Sequence, residues 1–69
     1  MTYIVKVFGT QGSSRTEELT QPNYIALAEL VKRGSPAAQS DVLRMARDIQ
    51  PALDRVELYE DGRLIATIR

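Results

Sequence analysis

The two residue types that carry most side-chain chemistry are missing from this 69-residue chain, which has no histidine and no cysteine. Their absence removes the commonest general base, the commonest metal ligand and any thiolate nucleophile. Carboxylates, hydroxyls, lysine and arginine remain as possible acids, bases and nucleophiles. The only adjacent carboxylates are Glu17-Glu18 and Glu60-Asp61. One pair falls on a predicted edge strand and the other on a turn tip, where the simpler reading is charge solvated by water rather than acid–base catalysis. Asp61-Gly62 lacks the alternating acidic ligands and distal glutamate of a calcium loop. The loop Gly9-Thr10-Gln11-Gly12-Ser13-Ser14 invites comparison with a phosphate cradle, but no Gly-Lys-Ser/Thr follows and no helix opens behind it. Ser13, Ser14 and Ser40 have no base to activate them. The expectation is a non-enzymatic protein with no catalytic residue, no metal site and no cofactor.

Lysine and arginine total 9 and aspartate and glutamate total 9, so no net field steers the protein toward nucleic acid or an anionic membrane. A local basic surface is the alternative. Lys32 and Arg33 at the end of one predicted helix, Arg44 and Arg47 on the next, and Arg63 beside a hairpin turn outline a helix-turn-helix with a wing. The neutral balance and the lack of a third helix weigh against this, and Asp41 and Asp48 are spaced to pair with Arg44 and Arg47.

These residues must be positioned by a fold built from few parts. A chain this short builds one core, so a single domain over residues 1–69 is expected. Apolar residues make up 43% of it, enough for a globule and above the disordered regime. No secretory signal and no long apolar stretch is present, which predicts a soluble, cytoplasmic protein with no membrane partner. Thr2 to Phe8 reads as a strand with apolar side chains on both faces, hence a central one. After the glycine-rich loop, Arg15 to Leu19 is a polar edge strand.

Pro22, capped by Thr20 or Gln21, starts a helix that runs to about Arg33 with Tyr24, Leu27, Ala28 and Val31 inward and Gly34 at its end. Ser35-Pro36 starts a second helix, with Ala38, Val42, Met45, Ala46 and Ile49 on one stripe and Leu43 off it. It ends near Gln50, because Pro51 disfavours helical angles before it. Pro51 to Asp54 connects to a final hairpin over residues 55–68.

In that hairpin the Asp61-Gly62 pair marks the turn. A three-residue loop of Glu60, Asp61 and Gly62 is expected, because it sets Leu58 opposite Leu64 and Val56 opposite Ala66 and gathers the apolar residues on one face. The predicted fold class is α+β in the order ββααββ, an antiparallel sheet of three to four strands with both helices on one face. The first strand is expected to pair with a strand of the final hairpin. On the far side of the sheet Ile4, Phe8, Tyr59 and Ile65 would then face water. A patch of that kind points to a protein-interaction module, with a second copy of the chain as the simplest partner. Pairing through an exposed edge strand is the other route to self-association.

Overall fold

In the computed structural model, which describes all 69 residues, the elements are β1 (Tyr3–Gly9), β2 (Ser14–Leu19), α1 (Pro22–Lys32), α2 (Pro36–Ile49), β3 (Leu53–Glu60) and β4 (Arg63–Ile68). The strands form one antiparallel sheet in the order β2-β1-β3-β4, so the two-faced apolar strand β1 is interior, paired with β2 on one side and β3 on the other. The N-terminal strand and the first strand of the C-terminal hairpin therefore meet in the sheet centre. Tyr3, Val5 and Val7 of β1 share a face with Val56 and Leu58 of β3, and with Ala66 and Ile68 of β4. This is the face under the helices. Tyr3, Val7, Val56, Leu58 and Ile68 are buried there against Ala28 and Val31 of α1 and Ala38 and Ala46 of α2.

The helix boundaries follow local chemistry. Pro22 and Pro36 occupy first turns, where a missing N–H costs nothing. The Ser35 hydroxyl accepts a hydrogen bond from the Ala38 N–H at 3.2 Å and caps α2. Gly34, at φ +88°, closes α1, and the Ser35 N–H reaches back to the Leu30 carbonyl at 3.1 Å. The helix stripes are rotated from the expected ones. Tyr24 is 36% and Ile49 49% exposed, whereas Ile25 and Leu43, outside both expected stripes, pack against the core.

The final hairpin corrects the expected turn. Glu60 pairs with Arg63 and Tyr59 with Leu64, so Asp61 and Gly62 alone form a two-residue turn with φ of +51° and +82°. A bulge then adds Ile65, and beyond it Leu58 faces Ala66 and Val56 faces Ile68. The extra residue that keeps the apolar set inward thus sits in β4 and not in the loop. Leu64 goes to the far face, where it is 47% exposed, and Ile65 packs against the buried cluster. β3 also starts two residues earlier than expected, taking Leu53 and Asp54 into the sheet.

Asp61 ties the turn to the chain start. Its carboxylate accepts from the Thr2 N–H at 2.9 Å, and its own N–H donates to the Thr2 carbonyl at 2.9 Å.

Candidate functional site

Two surfaces compete as the place where another molecule would bind, and the sheet divides them. On the far face, β1 contributes Ile4, Lys6 and Phe8 and β3 contributes Arg55, Glu57 and Tyr59. Ile4, Phe8 and Tyr59 do stand together there, but each is half-buried. The Lys6 ammonium lies 4.7 Å from the Tyr59 ring centre and the Arg55 guanidinium 4.0 Å from that of Phe8. Cations on ring faces are held by the ring quadrupole while their stems cover apolar surface. Glu57 anchors the lattice, accepting from the Tyr59 hydroxyl at 2.6 Å and from Arg55 Nε at 3.2 Å. These two hydrogen bonds, Tyr59 first, lower the Glu57 pKa, and the Tyr59 pKa is raised in turn by its bond to that carboxylate. The far face is therefore knitted to itself. Ile65 leaves it for the bulge, and Leu64 opposite Tyr59 is its most exposed apolar side chain.

The helical face holds the larger opening. Of the sheet strands, α2 lies closest to β3 and α1 to β4, and β2 contributes no residue to the buried cluster, so the helical layer covers Tyr3 and Val7 of β1 but thins toward the β2 edge. The cause is legible in β2: Arg15, Glu17 and Leu19 are its helix-side positions, so a roof there would bury one leucine and two charges. What remains is a groove of about 390 Å³, with 14 of its 18 lining residues apolar. Val5 and Val7 contribute to its floor, Leu19 comes from β2, and Tyr24 and Ile49 are exposed lining residues from α1 and α2. Its polar members are Glu17, Glu18, Thr20 and Gln21, all exposed. Glu17 pairs with Arg15 at 2.8 Å.

Sequence reasoning missed this groove. Helix periodicity tells that a stripe is apolar but not how far across the sheet the helix is laid.

The basic residues are spread over three elements. Lys32 bonds Glu60 at 2.9 Å and Arg44 bonds Asp41 at 3.0 Å, while Arg33, Arg47 and Arg63 make no ion pair. Lys32 and Arg33 border a smaller hollow with Met1, Glu29 and Tyr3. The Tyr3 hydroxyl is buried without a well-formed hydrogen bond, and burial, then the Glu60 charge, raises its pKa. No cluster of three or more carboxylates is close enough to hold a metal ion. No helix is long and apolar enough to cross a membrane. Compared with known proteins, the chain matches no family model, no curated protein and no solved structure.

Proposed function

We propose that this protein is a non-enzymatic, homotypic interaction module: it binds a second copy of itself along the open β2 side of its helical face. The observation that carries the reading is the groove, an apolar trough left uncovered beside a sheet edge, with Tyr24 36% and Ile49 49% exposed along it. β2 supports it further. It pairs with β1 without a register break, so its outer side is an unbulged, unpaired row of backbone donors and acceptors at the sheet edge. β4, the opposite edge, is bulged at Ile65 and so blunted against such pairing.

The far-face alternative through Ile4, Phe8, Tyr59 and Ile65 has less support, because cations cover two of the rings and Ile65 faces the core. Phosphate binding through Lys32, Arg33, Arg44, Arg47 and Arg63 has less again. Two of those cations are held by carboxylates and the net charge is zero.

The accessible surface is 4507 Å², close to the ~4,300 Å² that size scaling gives for a monomer of this mass. Each copy is thus as compact as a monomer of its mass, which supports an association that is reversible rather than required for folding. Sedimentation over a concentration series tests this: the mass should rise from 7.7 kDa toward twice that value, and Ile49→Glu should hold it at the monomer. A wild-type protein that stays monomeric at millimolar concentration would refute the proposal, as would dimerisation untouched by Ile49→Glu but lost in Phe8→Ser.

A further inference from the structure

We infer that the two copies join by antiparallel pairing of β2 with β2 in one register, set by Arg15 facing Glu17 of the second copy. This rests on the homotypic reading above and specifies its geometry. If both open grooves are to lie on the same side of the joined sheet, the two-fold axis must stand perpendicular to the sheet. Opposed residues then point to the same face, so an odd-numbered residue can oppose only an odd-numbered one.

Three registers keep most of β2 paired. Centring on Arg15 sets that arginine against its own copy, and centring on Glu17 does the same with two carboxylates; like charges directly opposed repel. Centring on Thr16 sets Arg15 opposite Glu17 twice and Thr16 opposite Thr16, both favourable cross-strand pairs, and the exposed 2.8 Å pair that Arg15 and Glu17 make within each chain would become part of a four-charge network across the axis. The strand sequence Ser14-Arg15-Thr16-Glu17-Glu18-Leu19 is self-complementary in this register alone.

Charges that keep an edge strand from pairing at random here select one partner. The approach is in the plane of the sheet at its β2 edge, where Arg15 and Glu17 on the helix side are exposed, so the helical layer does not cover the residues that would pair.

The same register closes the groove ends. It sets Leu19 beside Ser13 of the second copy, and in each chain the Ser13 hydroxyl accepts from Gln50 Nε2 at 2.6 Å. Ile49, the neighbour of Gln50, is thereby brought toward the other copy's Leu19 and Tyr24, joining the exposed apolar groups of the two groove mouths twice across the axis.

A charge exchange tests the register. Arg15→Glu carries two carboxylates at positions 15 and 17 and Glu17→Arg carries two cations. Each variant alone should self-associate more weakly than wild type by on the order of tenfold in low salt, with the deficit shrinking in high salt. Mixed in equal amounts they should form a heterodimer of near wild-type affinity, because each Glu then faces an Arg across the axis. The double variant R15E/E17R should also recover.

Exchange within one chain cannot explain rescue by mixing, and far-UV circular dichroism confirms that each variant is folded. Singles that associate like wild type, or a mixture no tighter than the singles, would overturn the register. If mixing fails while wild type dimerises and Ile49→Glu is monomeric, the register alone falls. A wild-type protein that never dimerises removes both.

Discussion

Ile49→Ala separates the interface from the core. Ile49 keeps 49% of its surface in water although it lies on the apolar stripe of α2. Burying an isoleucine completely is worth about 1.5–3 kcal/mol, so covering the remaining half contributes about 0.7–1.5 kcal/mol per copy. The two-fold axis doubles this to about 1.5–3 kcal/mol per dimer, which is roughly 10- to 150-fold in Kd. Folding of the monomer should lose only about 1 kcal/mol, because the site lies at a helix end and relaxes into solvent.

Val56→Ala is the opposite case. Val56 is 0% exposed in the sheet centre, and its truncation costs about 2–3 kcal/mol once the residual cavity is added to transfer. In a domain of this size that lowers Tm by roughly 8–24 °C. Val56 lies on the closed floor of the groove with none of its surface in water, so below that melting point its Kd should change less than that of Ile49→Ala. Sedimentation equilibrium paired with thermal melts reads both quantities. If Ile49→Ala melts and associates like wild type, or Val56→Ala weakens association more than Ile49→Ala while still folded, the division between groove mouth and core is wrong.

Three further outcomes follow from local geometry. Asp61→Ala should destabilise by about 1–2 kcal/mol in denaturant titration, through loss of the bond to the Thr2 N–H and a Cβ held at φ +51° without compensation; Asp61→Asn should be near neutral. Gly9→Ala should be unfavourable only while Ser13 and Gln50 are present, since the added Cβ would meet the Ser13 hydroxyl and lie 2.7 Å from Gln50 Nε2; in a Ser13→Ala, Gln50→Ala background the same change should become neutral or stabilising. Glu57 has a folded pKa below its ordinary 4.5, so the stability it contributes is complete above that value and is lost as pH falls through the depressed folded value; acid titration should show a shallower loss in Glu57→Gln.

Much of the fold can be read from punctuation. Pro22, Gly34, Pro36 and Pro51 each act where backbone chemistry leaves little choice, and they mark both helices to within about a residue. The apolar character of both faces of Tyr3 to Phe8 places β1 in the interior for the same reason that polar β2 takes the edge. The hairpin register is different. Keeping Val56, Leu58, Ala66 and Ile68 inward requires one extra residue, and a bulge at Gly62 or at Ile65 supplies it equally well in terms of pattern. The choice depends on Asp61 accepting φ +51° while bonding Thr2, a contact between residues 59 apart in sequence.

The candidate site was legible only in part. Ile4, Phe8 and Tyr59 do share a face, but the cover provided by Lys6 and Arg55 arises from cross-strand geometry. Arg15 and Glu17 lie two apart on a strand, which already announces a shared face. That the β2 edge of this face stays exposed depends on where α1 and α2 cross the sheet, and no periodicity encodes that.

Amide hydrogen exchange of β2 at low and high protein concentration tests the homotypic account most directly. The account predicts that the amides of residues 14–19 directed away from β1 exchange more slowly as concentration rises, while those along β4 do not change. Equal exchange in β2 at both concentrations, or slowing confined to β4 or the far face, would contradict it.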